Sequence, residues 1–443
     1  MTKHFHEFRD PIHVFIKLDS DERKVVDSYP FQRLRNIHQL ATSYLVYPGA
    51  THKRFEHSLG VMELASRVFD VITNPRNLHE KIKDLIPEIT LDNKLQYWRR
   101  VLRMAALCHD LGHLPFSHAA EDDLLPEGVD HETITVELIR SEEMQQIWQS
   151  VTPPLRTDDI IKLAVGPNKT KGIVFSDWEA VLSEVIVGDA FGVDRIDYLL
   201  RDSYHAGVAY GRFDHFRLID TLRILPKSTG EDDDSIEPAL GIEEGGLHSS
   251  EALLLARYFM YSQVYFHPVR RIYDIHLKDF LMEWLPRGKF SPNANKIVEI
   301  TDNEVLAAIS KAANNSSKKA HESARRFVGR KHFRLLYQRH PDDTTINPEP
   351  GKTIFESATS RFGVQSIRRD NYTQKSASSD FPVLCNDGRI TSSISKSSTI
   401  QRLPVASFDY VFINPEYVGE GHRWLKRNRL KILIENTNLI EEE

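Results

Sequence analysis

The sequence predicts a mainly α protein, with a large helical core, a hairpin inserted at about residues 221–248, and a smaller α+β lobe toward the C-terminus. Three observations carry this reading. Apolar residues recur at helical intervals through much of the first 290 residues. An acidic, turn-like stretch, Gly230 to Asp234, separates two short apolar runs. Past residue 290 the helical texture gives way to strand-like pieces. With 443 residues and 40% hydrophobic content the chain can bury a sizeable core. We divide it into a core, 1–290, and a C-terminal lobe, 291–443, expected to serve oligomerisation or regulation.

From Phe55 onward, Phe55, Leu59, Met62, Val68, Phe69 and Ile72 mark one helical face. A second helix, from Lys94, carries Val101, Leu102, Ala105 and Ala106 into Cys108-His109-Asp110 and ends at Gly112. A third pattern, Val181 to Leu200, is broken at Gly188 and Gly192 and resumes at Val193. Thr221 to His248 reads as an exposed hairpin. Ser249 or Ser250 is the expected cap of the next helix, with Glu251 in its first turn and Pro268 ending or kinking it. The pattern then stays helix-like up to Tyr337, after which Ile390 to Ile394 and Tyr410 to Ile413 read as strands. The Ser/Lys-rich stretches Thr373 to Ser379 and Ser395 to Thr399 read as loops. No repeat of about 20–50 residues is present, which argues against a solenoid.

A net charge of -6 argues against a protein built mainly to coat nucleic acid. The local exception runs from Lys318 to Arg339, where Lys318, Lys319, Arg325, Arg326, Arg330, Lys331, Arg334 and Arg339 are interleaved with Phe327, Phe333 and Tyr337. It reads either as a solvated helix face or as an anion site for nucleotide phosphates or a strand of nucleic acid. Cys108 and Cys385 are too few for a disulfide framework and fit a reducing cytoplasm. The N-terminal MTKHFHEFRD has no apolar leader, and no apolar stretch approaches a membrane span, so neither export nor a membrane partner is expected.

Four residues stand out as candidate metal ligands: His57, His109, Asp110 and Asp194. His57 follows Arg54 by one helical turn, His109 sits above the apolar stripe of its helix, and Asp110 falls where that helix gives way. Such a helix end can aim two adjacent ligands at one ion. Two imidazoles with two carboxylates and no thiolate suit iron, manganese, magnesium or zinc, with water completing the shell. A lone histidine is most often a surface or satisfied core residue, and the grouping is what carries weight. His109, His113 and His118 fall within ten residues of a Gly/Pro-broken segment, followed by Glu121 and then His131-Glu132. A core helix cannot bury that many titratable groups without partners. Between Val193 and Asp202, residues Asp194, Tyr198, Arg201 and Asp202 fall at i, i+4, i+7 and i+8, one polar and aromatic stripe, away from Ile196, Leu199 and Leu200. Arg257, Tyr261 and Tyr265 form a similar stripe, which reads equally as core packing.

Arg54-Phe55-Glu56-His57-Ser58-Leu59-Gly60-Val61, Cys108 through His118 and Asp194 through Asp202 closely resemble the dNTP triphosphohydrolase branch of the HD-domain superfamily, which includes the vertebrate SAM-and-HD-domain enzyme and bacterial relatives. The likeness extends to Asp10-Pro11-Ile12-His13, Phe31-Gln32-Arg33-Leu34-Arg35 and Tyr265-Phe266-His267, covering about residues 8 to 270. It implies an HD-domain core that hydrolyses a dNTP to deoxynucleoside and triphosphate. His57, His109, Asp110 and Asp194 would hold the metal, and a second magnesium would arrive with substrate. Arg54, His113 and His131 would contact phosphates and His118 would protonate the leaving 5′ oxygen, with Glu121 and Glu132 completing the catalytic set. Glu121, three residues after His118, would stabilise its imidazolium, although the family's familiar residue there is Asp. Gln39 and Asp202 would bind the 3′-hydroxyl, with Leu40 beside them, while Tyr198 and Tyr265 would crowd the 2′ position. Arg195, at a position where better-known members carry Lys, would bind phosphate, and Arg257 would lie near the substrate.

Asp27, Gln32 and Arg35 match residues that, in the vertebrate relative, bind an activating guanine nucleotide at a subunit boundary, and their bland reading is a salt-bridged helix end. The resemblance thus implies activation by GTP or a dNTP and assembly as a homodimer or homotetramer. Glu243, Gly245 and Pro268 stand where the relative carries basic residues, which counts against a second regulatory pocket. Two other readings remain: a different HD phosphohydrolase (nucleotidase, phosphodiesterase or nuclease), and a nucleotide-responsive binding or assembly protein.

Overall fold

The computed structural model describes residues 5–119, 121–170, 172–228, 236–317, 319–374 and 380–435, and of residues 118, 122 and 435 the backbone alone. Among the described residues no helix is long and apolar enough to cross a membrane. The chain is mainly helical and forms two compact units. Within the described residues the first gathers 5–260, 290–304 and 380–404, and the second 261–289, 305–374 and 405–435. This differs from a single cut at residue 290: the first break falls at 260, and two later segments, 290–304 and 380–404, return to the first unit.

The first unit opens with a hairpin of β1 (His6–Asp10) and β2 (Val14–Leu18), whose turn is closed by Asp10 Oδ1 accepting from the backbone N–H of Ile12 and His13, both at 2.9 Å. Helix α1 (Arg54–Ile72) buries all six residues of its expected stripe, and Glu56 closes its first turn by accepting from the Lys53 N–H at 2.7 Å. Helix α2 (Asp92–Cys108) buries Val101, Leu102, Ala105 and Ala106 and hands over to His109 as its C-cap. Helices α3 (His131–Ile139), α4 (Thr157–Val165) and α5 (Asp177–Val187) follow, then α6 (Val193–Ala206), which ends on Gly207 at φ 72°. The break between α5 and α6 falls at Gly188–Gly192, as the sequence predicts.

Two glycines let these helices meet. A Cβ at Gly60 of α1 would stand 2.0 Å from Asp197 Oδ1 of α6, and one at Gly112 would stand 2.1 Å from the carbonyl oxygen of His131 in α3. Gly112 therefore lies just past the end of α2 as expected, and its lack of a side chain lets the His109–Gly112 loop press against α3.

The expected hairpin is present as β3 (Leu222–Ser228) and β4 (Ile236–Glu243), paired antiparallel from Leu222 opposite Ile242 to Ser228 opposite Ile236. Its tip, including Gly230 to Asp234, lies outside the described residues. The strands themselves are not exposed: Leu222, Ile224, Leu225 and Ile242 are buried. Pro382–Leu384 joins β4 in parallel and Ile390–Ser392 completes a four-stranded sheet, a pairing that local pattern cannot reveal. Helix α7 (Leu247–Met260) begins before the serines, and Ser250 bonds back to the Gly246 carbonyl at 3.2 Å instead of capping. The returning segment 290–304 is pinned by Arg33, which donates to Ile300 O at 3.1 Å and 3.2 Å and to Leu111 O at 3.4 Å.

In the second unit a π-helical turn, Tyr261–Tyr265, precedes the helix Pro268–Trp284, so Pro268 starts a helix at a position where its missing N–H costs nothing. A three-stranded antiparallel sheet has Ser407–Ile413 between Arg334–Gln338 and Ile367–Thr373. Helices Pro350–Phe362 and Val418–Glu435 back it through Leu336, Ile354, Ile367, Val411 and Leu433. Helical structure thus stops short of Tyr337, which lies in a strand with its ring buried. The basic run is likewise not one helix face. It passes from the helix His321–Val328 through Arg330 at φ 52° into the strand, with Phe327, Phe333 and Tyr337 in the core, and Lys318 lies outside the described residues.

Gly112→Ala is expected to lower unfolding free energy by about 1–3 kcal/mol, because backbone atoms of α3 must move to admit the methyl group. Urea denaturation, read as a lower midpoint at unchanged slope, checks this.

Candidate functional site

The site grows from three segments of the first unit: the start of α1, the end of α2 and the start of α6. His57 is fully buried on α1. Its Nδ1 donates to Asp197 Oδ2 at 2.8 Å, which leaves Nε2 facing Asp194 Oδ1 at 2.9 Å and Asp110 Oδ2 at 3.6 Å. His109 Nδ1 donates to the Ala106 carbonyl at 2.8 Å, one turn back. Its Nε2 therefore carries a lone pair and points toward Asp110 Oδ1 (3.4 Å) and Asp194 Oδ1 (3.5 Å), yet among the described residues it has no hydrogen-bond partner. Ligand atoms of His57, His109 and Asp110 lie within 4.8 Å of one another, with Asp194 closing the group.

That arrangement fits a divalent cation. The ring nitrogens that face the cluster are the ones their outer partners leave available, and that of His109 is buried with no hydrogen-bond partner among the described residues, a costly state unless a ligand answers it. A proton on His57 Nε2 competes with a cation for the same lone pair. Burial lowers the His57 pKa, but its bonds to Asp194 and Asp197 outweigh that and push it up to about 10. Burial also raises Asp197, yet Arg201, His13 and His57 hold it well below the ordinary carboxylate range. Asp194, with 36% of its side chain exposed against 0%, 5% and 8% for His57, His109 and Asp110, marks the open side.

Arg54 pairs with Asp110 and donates from Nε to Ser117 Oγ at 2.8 Å. His113 Nε2 lies 3.1 Å from Asp110 Oδ1, and the His113 and His131 rings stack at 4.1 Å. Glu121 Oε1 accepts from both the backbone N–H and Nδ1 of His131 at 2.6 Å, with Glu132 Oε2 at 3.2 Å from Nδ1. Burial pulls the His131 pKa down, but Glu121 and then Glu132 and Asp110 outweigh it, so His131 is raised. His113 is instead held well below the histidine range by burial, Arg54 and His131. The His118 side chain lies outside the described residues.

A second corner forms around His52, which the sequence reading did not single out. Its Nε2 bonds Asp202 Oδ1 at 2.8 Å, its carbonyl accepts the Gln39 N–H at 3.0 Å, and its ring stacks on His205 at 4.4 Å. Gln39 Oε1 is buried without a hydrogen-bond partner among the described residues, and Leu40 is buried beside it in sequence. On α6, Tyr198 is half-buried, while Nε and Nη1 of Arg195 are buried and unpartnered among the described residues. Arg201 leaves the expected stripe: fully buried, it pairs with Asp197 (2.8 Å) and Asp10 (2.7 Å). Arg257 is half-buried on α7, and Tyr265 closes the π-helical turn of the second unit. Arg35 donates to Gln32 at 2.9 Å and lies 3.5 Å over the Phe55 ring, whereas Asp27 pairs with Arg23 at 2.7 Å.

Comparison with known proteins places this geometry in a family. Residues 54–172 match the HD domain and residues 213–346 the HD associated region. The chain is 30% identical over 394 residues to the uncharacterized protein YwfO of Bacillus subtilis, spanning 85% of this chain and 80% of that one. The chain belongs to the HD-domain family of phosphohydrolases. A crystal structure of a hypothetical protein from Aquifex aeolicus superposes with a TM-score of 0.75 at 30% identity, covering 95% of this chain and all of that one. The deoxynucleoside triphosphate triphosphohydrolase SAMHD1 of Gallus gallus is 35% identical over 239 residues, 49% of this chain and 36% of its own length. In an HD-domain phosphohydrolase the His/Asp cluster is the candidate metal centre, and Asp197, like His52, is a residue that spacing alone does not reveal.

Asp197→Asn keeps all four candidate ligands but weakens the acceptor that orients His57. It is expected to lower manganese affinity about 10–100-fold, as measured by titration calorimetry on metal-stripped protein.

Proposed function

We propose that this chain is a divalent-metal-dependent dNTP triphosphohydrolase, converting a dNTP and water to deoxynucleoside and inorganic triphosphate. The observation that carries this reading is the convergence of His57, His109, Asp110 and Asp194 with Arg54, next to a corner where Gln39 and Asp202 gather around His52. A cation held by those four residues would supply Lewis acidity toward phosphate oxygens and water. In the balanced reaction the water oxygen bonds to the α-phosphorus, the bond to the 5′ oxygen breaks, and that oxygen leaves protonated.

Arg54 is a fixed positive charge already in place before substrate arrives, which suits a growing charge on phosphorus oxygens. Arg195, with two guanidinium nitrogens unpartnered among the described residues, offers a second fork for the triphosphate. His131, whose pKa Glu121 and Glu132 raise against the effect of burial, adds positive charge in its protonated form, and His118 is the acid for the leaving oxygen. Gln39 Oε1 and Asp202 present acceptors for a 3′-hydroxyl, and Tyr198 limits room at the 2′ position. A site with such acceptors rejects an analogue lacking the hydroxyl because they are left unpaired. Similarity to SAMHD1 over about half the chain supports this reading. Activation by GTP or a dNTP at Asp27, Gln32 and Arg35, with assembly as a homo-oligomer in the cytoplasm, belongs to the same proposal.

Purified protein with manganese or magnesium is expected to release inorganic triphosphate from dNTPs, with or without GTP added, and much less from ribonucleotides; orthophosphate as the sole product would sink the reading. Asp194→Asn should lose roughly 100-fold or more in turnover along with metal content. The pH dependence follows from His131. A histidine with a raised pKa keeps its proton to higher pH, and a contribution that needs the imidazolium is lost as pH rises through that value. Glu121→Gln lowers the His131 pKa, so the alkaline limb of kcat/KM against pH should move toward lower pH, read from a stopped triphosphate assay.

A further inference from the structure

Phe116 and Ser117 are consecutive non-glycine residues in left-handed backbone, φ 58° and 56°, and they lead directly into residue 118. Such backbone persists only where its surroundings over-determine it. Here the restraint comes from the returning segment 290–304. Asp302 is fully buried. Its Oδ1 accepts from the Phe116 N–H at 2.7 Å, and its Oδ2 accepts from the His38 N–H at 2.8 Å and from His38 Nδ1 at 2.5 Å. The tautomer is fixed by chemistry: Lys53 Nζ stands 2.7 Å from His38 Nε2, and an ammonium only donates, so Nε2 accepts and Nδ1 carries the proton to Asp302. Beyond the turn, Ser117 Oγ donates to the His38 carbonyl at 3.0 Å and accepts from Arg54 Nε at 2.8 Å. One carboxylate thus ties the His38 segment to the strained turn and, through Ser117, to the arginine that pairs with Asp110.

We propose that Asp302 is a positioning residue for the hydrolysis, an inference that rests on the dNTP reading above: it holds the Phe116-Ser117 turn, and through Ser117 the Arg54 guanidinium, where phosphate must bind. A carboxylate that only filled space would be replaceable by an amide of the same shape. The amide of Asp302→Asn has one oxygen and one NH2, and the NH2 cannot accept, so at least one of the N–H groups of Phe116 or His38 loses its acceptor.

Manganese-loaded Asp302→Asn and parent protein are compared for melting temperature, manganese content, dNTP turnover and hydrogen exchange of segment 113–119. The expected result is near-parent melting and manganese content, faster exchange in that segment, and roughly a 100-fold fall in kcat/KM, the scale of an ångström of misplacement. Unchanged exchange, or kcat/KM within about twofold of the parent, overturns the proposal. A parent that releases no triphosphate sinks the functional reading instead, and the exchange measurement still decides whether Asp302 holds the turn. Should Asp302→Asn not fold, His38→Leu, which removes the ring donor to Asp302 and the ring acceptor of Lys53 but keeps the His38 N–H and carbonyl contacts, is expected to give faster local exchange with a smaller loss, about tenfold; parent-like exchange and turnover in that variant also overturn it.

Discussion

A carboxylate buried beyond the reach of water must be paired on every side, and Asp197 meets that demand with four donors. Its Oδ1 accepts from His13 Nε2 at 2.7 Å and Arg201 Nη2 at 2.9 Å, its Oδ2 from His57 Nδ1 and Arg201 Nε, each at 2.8 Å. The site depends on this. By occupying Nδ1 of His57, Asp197 turns Nε2 toward Asp110 and Asp194. By recruiting His13 and, through Arg201, Asp10, it attaches the β1/β2 hairpin to α6. Buried ion pairs of this kind bring little net stability against apolar replacement, but losing one partner strands a charge and costs about 3–5 kcal/mol. Their value here is geometric.

Much of this was legible in the sequence, and the exceptions share a cause. Helices α1, α2 and α6 announced themselves because each buries one stripe at a 3.6-residue period, and the metal quartet stood out because five histidines and carboxylates crowd a broken helix end. Arg201 was misplaced because helical spacing allows it two partners. It lies at i+7 from Asp194 and at i+4 from Asp197, and only the tertiary neighbour Asp10 decides between them. Asp197 itself sits three residues from Asp194, where spacing shows adjacency but not that its carboxylate reaches back to α1. His52 carried no signal at all, since its role as the link between Gln39 and Asp202 exists only once α6 packs near the loop before α1.

The strands show the same limit more sharply. An acidic turn between apolar runs identifies a hairpin, but whether that hairpin is exposed depends on Pro382–Leu384, a partner far along the chain. The basic run misled because its aromatics alternate with cations in a way that suits a solvated helix, while Phe333, in the irregular segment before the strand, and Tyr337, in the strand, are in fact core residues. Charge density reports what a surface can attract. It does not report whether the backbone beneath is helix or sheet.

On the proposed reading, α6 acts as a ruler. Asp194 and Arg195 in its first turn serve the phosphate end, and Asp202, with His52, serves the sugar end; eight residues separate the two carboxylates, about 12 Å along the axis. A helix holds such a separation far more tightly than a loop, and this one is fixed along the face that carries Asp197 and Arg201, where Gly60 admits α1 and Arg201 bonds to β1. On that reading, chemistry at phosphorus and recognition of deoxyribose are coupled through α6. Any change that rotates or slides α6 displaces both ends together, so discrimination between sugars and the rate of cleavage should be inherited as one trait.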